Sequence, residues 1–166
     1  MNVIEAKLFQ SRYTDESHLA LWVDNEPLDR LLDRWVPGQE IEGLVPAWLE
    51  WMIDRNEQDV AQSRMRLPRE GCVRVPLLMC PDDLDFSCSI VIADLEASES
   101  TVKWRRLGYD QTASNDPEKI GRDVRWFDGL TELCFERSQY QRCIQLFVDE
   151  NKKAQQGGHA KTGPQA

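Results

Sequence analysis

The chain has 166 residues, of which 41% are hydrophobic and 30% charged, a composition typical of a globular protein with a substantial core. Its net charge of −9 argues against bare nucleic acid and anionic membranes as partners, because both bind basic surfaces, whereas a basic protein would be attracted. The sequence shows neither an apolar run long enough for a transmembrane helix nor a signal-peptide pattern at its start, so we expect a cytoplasmic protein.

The first predicted elements are a β-hairpin over residues 3–23 and a helix near residues 27–35. In the hairpin, two apolar stretches flank the polar turn TDES. In the helix, Asp24 or Asn25 is expected to provide the N-cap. Four apolar side chains share one face of this helix: Leu28, Leu31, Leu32 and Trp35.

A second helix is predicted near residues 46–60, and it carries Trp48 and Trp51 on one face. Tryptophan at helical spacing usually belongs to a core. An exposed pair would instead mark an interface, so a homodimer that uses these two side chains stays an alternative.

The second half of the chain predicts an antiparallel meander over residues 72–107, a strand at 130–137 and a helix near 138–152. Pro76 places the first strand of the meander at an edge or at a bulge, while the stretch SCSIVIADL predicts a central strand buried on both faces. A long polar connection spans residues 108–129.

These elements predict an α+β fold, with an antiparallel sheet of about six strands and helices near 27–35, 46–60 and 138–152. One globular domain is expected over residues 1–153. The Gly- and Gln-rich tail over residues 154–166 is expected to be disordered.

The stretch CPDDLDFSC, residues 80–88, combines two cysteines with three aspartates. Zinc sites usually use two close ligand pairs, whereas Cys80 and Cys88 are eight residues apart with no histidine near them. The aspartates also lack the spacing of a calcium loop. The sequence therefore predicts a turn with water-exposed carboxylates, and it predicts no metal ligand, no cofactor and no catalytic residue. All cysteines are expected to be reduced and buried in the core: Cys72, Cys80, Cys88, Cys134 and Cys143.

Acidic residues cluster in the meander, since no Lys or Arg occurs between Arg74 and Lys103. We predict that five of these acids bind a basic partner: Asp82, Asp83, Asp85, Glu96 and Glu99. Successive turns of a meander lie at opposite ends of a sheet, so the acids form either one patch or two. A solvated rim without a partner is the alternative interpretation.

Three segments carry a longer pattern, in which a Cys-Pro turn precedes V-x-W and then F-x-R-x-x-Y: CPDDLDFSCSIVIADL, TVKWRRL and FERSQYQRCIQLF. Over residues 72–150 this pattern resembles a broad group of uncharacterised bacterial proteins, some of them described as oxidoreductases, and is similar to immunity proteins found beside polymorphic toxins. Relatives often carry a third cysteine in the turn, CPxCGDxGC, where this chain has Asp83 and Leu84. That difference argues against a metal or redox function.

The resemblance implies an α+β bacterial domain that acts as an immunity protein. We therefore expect a protein that neutralises a cognate toxin or effector, itself basic, by direct contact through an acidic surface. Two alternatives stay open, a small cytosolic enzyme with an unrecognised site and a structural homodimeric subunit.

Overall fold

The computed structural model describes residues 1–156 of the chain. Its helices are α1 (Leu28–Trp35), α2 (Arg55–Met65) and α3 (Arg137–Gln156), with a short 3-10 helix at Pro117–Lys119. Its strands are β1 (Ile4–Phe9), β2 (His18–Val23), β3 (Glu26–Pro27), β4 (Val45–Pro46), β5 (Gly71–Met79), β6 (Ile90–Ala97), β7 (Thr101–Asp110), β8 (Val124–Trp126) and β9 (Leu133–Glu136). Among the helices of these residues, none has both the length and the apolarity needed to cross a membrane.

The strands form two antiparallel sheets, and together with the helices they make the α+β fold that the sequence predicts. The larger sheet has six strands in the order β4-β5-β6-β7-β8, with β9 pairing with β7 outside this path. The hairpin predicted at residues 3–23 forms as β1 and β2, but it joins β3 in a separate three-stranded sheet. Residues of both sheets contribute to one hydrophobic core.

The chain turns directly from β2 into β3 at Asp24 and Asn25, which have positive φ angles of 50° and 67°. These two residue types tolerate the left-handed region, and Val23 pairs with Glu26 across the turn. Neither residue therefore caps α1, contrary to the prediction. The Asp24 carboxylate instead accepts a hydrogen bond of 2.8 Å from the amide of Val3.

The meander predicted at residues 72–107 is confirmed as β5, β6 and β7. β6 is the central strand, and its residues 90–93 are fully buried because the sheet is covered on both sides there. The pairing of β5 with β6 shifts register between Pro76 and Leu78. Proline has no amide hydrogen to donate, so this irregularity is the bulge predicted at Pro76.

The helix predicted at residues 46–60 is wrong in position. Residues 45–46 pair with β5 as β4, residues 47–54 form turns, and α2 begins only at Arg55. Asp54 caps this helix, since its carboxylate accepts hydrogen bonds of 2.8 and 3.2 Å from two amides of the first turn. Four apolar side chains of this turn segment are buried, those of Ala47, Trp48, Leu49 and Met52, whereas Ile53 is exposed. The buried residues give the sequence an apolar pattern without forming a helix.

An aromatic cluster joins the turn segment, the larger sheet and α3. The ring of Trp48 lies against Tyr140 and Phe147, with ring centroids 6.1 and 5.4 Å apart. The indole N–H of Trp48 donates to the carbonyl of Pro76 at 2.9 Å. Tyr140 is also bound to the larger sheet, because the indole N–H of Trp104 in β7 donates to its hydroxyl at 3.0 Å. Trp48 is therefore a core residue of this chain.

The polar connection at residues 108–129 contains the end of β7, the 3-10 helix and β8. Gly108 allows β8 to pair closely with β7, since a Cβ there would lie 2.4 Å from the carbonyl oxygen of Arg125. The strand predicted at 130–137 is confirmed as β9.

The last predicted helix is confirmed as α3, which continues through Gln156, three residues into the segment expected to be disordered. The rest of the predicted tail, residues 157–166, lies outside the described residues.

We expect Trp48→Phe to lower the free energy of unfolding by about 1–3 kcal/mol, because the Pro76 carbonyl loses its buried donor and the smaller ring leaves space. Urea denaturation measures the change. Trp35→Phe is the matched control, since Trp35 is 37% exposed and its substitution should change stability by less than about 0.5 kcal/mol. Equal losses in the two variants would contradict the assignment of Trp48 to the core.

Candidate functional site at the Cys80 to Cys88 turn

The CPDDLDFSC stretch connects β5 to β6 and is a turn, as the sequence predicts. Leu84 takes a positive φ of 52°, and its amide donates to the carbonyl of Cys80 at 3.0 Å. The turn is also attached to α2 and the segment before it. The amide of Ile53 donates to the Leu84 carbonyl at 3.2 Å, and the amide of Phe86 donates to the Glu57 carboxylate at 3.1 Å.

The two cysteines of the turn face each other and are only partly buried, with Cys80 packed against the edge of the core, so their predicted full burial is wrong. Cys80 and Cys88 are half-buried, and their sulfur atoms and a carboxylate oxygen of Asp83 all lie within 4.8 Å of one another. Met79 and Ile90 are the last pair of the β5–β6 ladder at this end. Cys80 follows Met79 directly and Cys88 precedes Ile90 by two residues, so the two cysteines lie at the start and end of the turn.

Of the other three cysteines, Cys143 is buried as predicted, whereas Cys72 is exposed and Cys134 is half-buried, contrary to the prediction. Burial, followed by the proximity of Asp83 and Cys80, raises the pKa of Cys88 to about 11. Burial raises the pKa of Cys143 to about 12. A reactive cysteine needs a lowered pKa, so neither thiol has the environment of an activated nucleophile.

The five acids predicted to bind a partner lie at opposite ends of the larger sheet. Three are in the turn that precedes β6: Asp82, Asp83 and Asp85. Glu96 and Glu99 lie at the other end of β6, which is eight residues long and therefore separates the two groups by about 25 Å. The acids thus form two patches. A protein–protein interface of standard size that is centred on one of the two turns would not cover both patches.

The turn belongs to a larger group of carboxylates, which we call the acidic end. It comprises acids of the turn and of the segments that flank it: Asp33, Glu40, Glu42, Asp54, Glu57, Asp82, Asp83, Asp85, Asp110 and Asp116. Within residues 1–156, none of these ten carboxylates lies within 4.0 Å of a Lys or Arg nitrogen. The negative charge of the acidic end is therefore not neutralised by ion pairs in this part of the chain.

Backbone amides hold several of these carboxylates in place. The Asp110 carboxylate accepts a hydrogen bond of 2.9 Å from the amide of Gly121, and Glu57 accepts one from the turn, as described above. Burial raises the pKa of Glu57, and the charges of Asp54 and Asp85 add to this effect. These contacts order the loops of the acidic end.

Two concavities flank the turn. The larger has a volume of about 570 Å³ and four carboxylates in its lining: Asp54, Glu57, Asp110 and Asp116. The smaller has a volume of about 440 Å³ and, besides Arg12, contains four more: Asp33, Glu40, Glu42 and Asp82. The far wall of the larger concavity is fixed by Arg64 of α2, whose guanidinium donates to the carbonyls of Glu118 and Ile120.

The opposite end of β6 has a different electrostatic environment. Glu96 lies 3.4 Å from the guanidinium of Arg105, and Asp94 lies 2.9 Å from that of Arg106. Glu99 is exposed at the tip of the turn between β6 and β7. Arginine side chains thus neutralise Asp94 and Glu96 locally, in contrast to the acidic end.

The two tryptophans considered as an interface lie in different environments. Trp48 is fully buried, so it presents no surface to a partner. Trp51 is half-buried, and its ring packs edge-on against the ring of His18 with centroids 5.2 Å apart.

A buried hydrogen bond of 2.7 Å joins the hydroxyl of Ser11 to Nε2 of His18, a pair that the sequence pattern did not reveal. Nδ1 of His18 lies 2.8 Å from the Leu19 carbonyl, so this nitrogen carries the proton and Nε2 accepts from the serine. The arrangement resembles a serine with its general base. However, Ser11 and His18 are only 3% and 5% exposed, so the pair is enclosed and has a structural function.

Comparison of the chain with models of protein families, with curated proteins and with solved structures finds no match in any of the three. The function is therefore argued from the geometry and charge of the site.

We expect His18 to make the fold sensitive to acid. Burial lowers the pKa of His18 from its ordinary value of 6.5, so the unfolded chain binds a proton more readily than the folded chain. The free energy of unfolding should fall below about pH 6.5, with a slope from this group of up to about 1.4 kcal/mol per pH unit. Urea titrations between about pH 7 and pH 5 should show a shallower decline in His18→Gln. Equal slopes in the two proteins would exclude His18 as the cause.

Proposed function

We propose that this chain is an immunity-type binding protein that neutralises a cognate bacterial toxin or effector by direct contact through the acidic end. The observation that carries the proposal is the set of ten carboxylates without an ion-pair partner among residues 1–156. A surface of this kind is complementary to a basic protein, since the cations of the partner would relieve the repulsion among the carboxylates.

The concavities on either side of the turn support this proposal. Each is large enough to receive several long side chains, and each contains four carboxylates that could pair with Lys or Arg. Several of these carboxylates are already fixed by backbone amides, so a partner would meet an ordered surface. Binding there would occlude the basic residues with which a toxin holds an anionic substrate.

The other features of the site favour binding over catalysis. The pKa of Cys88 is raised by burial, and the Ser11–His18 pair is enclosed. A cytoplasmic location accompanies the proposal, because five free thiols suit a reducing compartment.

Co-expression with the product of the adjacent gene tests the proposal. We expect the chain to copurify with that product and to restore the growth of cells that produce it. A chain that neither binds nor protects against the neighbouring product contradicts the proposal.

Removing three charges from the acidic end should slow association with the partner. Glu40→Gln, Glu42→Gln and Asp82→Asn are suitable because their side chains accept no hydrogen bond within the described residues, so the fold should be retained. We expect the association rate constant to fall by about tenfold or more at low ionic strength, and the difference to shrink as salt is added. Stopped-flow mixing with the partner at two ionic strengths measures both effects.

The matched control removes three charges from the other end of the sheet, by Glu70→Gln, Glu96→Gln and Glu99→Gln. Glu70 precedes Gly71, which pairs with Ala97, so it belongs to that end. This variant has the same net charge and should associate at nearly the wild-type rate. Equal slowing in the two variants would assign the effect to net charge rather than to the acidic end.

A further inference from the structure

Three donor groups with the chemistry of zinc ligands converge in the turn between β5 and β6. The sulfur atoms of Cys80 and Cys88 and a carboxylate oxygen of Asp83 lie within 4.8 Å of one another. In a tetrahedral zinc site, Zn–S bonds of about 2.3 Å and Zn–O bonds of about 2.0–2.2 Å place neighbouring ligand atoms about 3.5–3.8 Å apart. Side-chain adjustments of about 1 Å or less would therefore enclose an ion.

The backbone already holds these donors together. The pairing of Met79 with Ile90 brings the two strand ends side by side, so the eight-residue separation of the cysteines is closed by the hairpin. The hydrogen bond from the Leu84 amide to the Cys80 carbonyl closes the turn and directs Asp83 towards the two sulfur atoms. The spacing of the cysteines in the sequence argued against zinc, because a spacing rule considers only ligands that are neighbours along the chain. The hairpin makes Cys80 and Cys88 neighbours in space.

We propose that Cys80, Asp83 and Cys88 bind one zinc ion. Two thiolates with one carboxylate suit a divalent metal of borderline softness, whereas calcium and magnesium prefer sites built from oxygen ligands alone. The two sulfur atoms belong to half-buried residues and Asp83 is exposed, so the fourth position of the ion faces solvent. Water, or a donor atom from another molecule, would occupy it.

A bound ion would change the acidic end in two ways. It would cross-link the ends of β5 and β6 through side chains, in addition to the backbone ladder. It would also neutralise two of the three negative charges that the bound ligands carry. This inference does not depend on the proposed immunity function, because the site is defined by its donor atoms alone.

Zinc binding by the full-length protein tests the inference. The protein is reduced, freed of metal with a chelator, and titrated with Zn²⁺ in competition with a chromophoric chelator. We expect one equivalent to bind. Titration with Co²⁺ should give the visible bands of tetrahedral cobalt together with a thiolate-to-cobalt charge-transfer band. A wild-type protein that shows neither would overturn the inference.

Variants assign the ligands. Cys80→Ser and Cys88→Ser should each weaken zinc binding by more than about 100-fold, and Asp83→Ala by about tenfold or more, since even indirect supports of a metal ligand contribute about 10–100-fold. Cys72→Ser and Cys134→Ser are the matched controls, because both residues lie outside the cluster, and they should bind as the wild type does. Circular dichroism and urea denaturation check that each variant is folded.

Two results would count against the site even if some metal binds. Equal affinity in Cys80→Ser and Cys72→Ser would place the ion elsewhere. A Cys80–Cys88 disulfide found by mass spectrometry, with no zinc binding after its reduction, would assign the pair to redox chemistry instead. Neither result bears on toxin binding, which the co-expression experiment measures separately, so the two proposals can fail independently.

Discussion

The buried ring of Tyr140 is the contact on which the relative positions of the sheet, α3 and the acidic end depend. The Tyr140 hydroxyl accepts a hydrogen bond from the indole N–H of Trp104 in β7, and the ring packs against Trp48 from the turn segment. Burial raises the pKa of this hydroxyl. Because α3 follows β9 directly, the helix returns over the sheet and holds Trp48 in the core. The turn segment that contains Trp48, residues 47–54, ends at Asp54, beside the β5–β6 turn. The position of the acidic end is therefore a consequence of aromatic packing about a turn segment that is not itself helical.

Sequence patterns predicted the elements whose apolar side chains belong to one regular structure. The meander and α3 have such patterns, and both are confirmed. The helix predicted at 46–60 was misplaced because the buried apolar residues of consecutive turns have a spacing similar to that of one face of a helix. The spacing of Asp54 and Glu57 is the signal that could have corrected it, since an acid three residues before a glutamate is typical of a helix N-terminus. Membership of a strand in one sheet or another has no local signature, so the separate three-stranded sheet was not predictable.

The candidate site was predictable only as a turn rich in acids. Its chemistry depends on the β5–β6 register, which ends with Met79 opposite Ile90 and so brings the segments that carry Cys80 and Cys88 side by side. That register includes the irregularity at Pro76, and pairing irregularities of this kind are set by the whole sheet. The division of the acids into two patches also follows from topology. Asp94 and Glu96 form ion pairs with Arg106 and Arg105 of the neighbouring strand β7, whereas the turn before β6 has no strand beside it to provide a cation.

α2 holds both walls of the larger concavity. Glu57 binds the β5–β6 turn. Arg64, seven residues further along the same helix, binds the carbonyls of Glu118, within the 3-10 helix, and of Ile120, directly after it. Seven residues of helix span about 10 Å, and a helix does not stretch. The distance between the two walls of the concavity is therefore fixed by a single rigid helix. A partner segment of matching width would enter the concavity without a conformational change of this chain. A wider segment would be excluded sterically, whatever its charge.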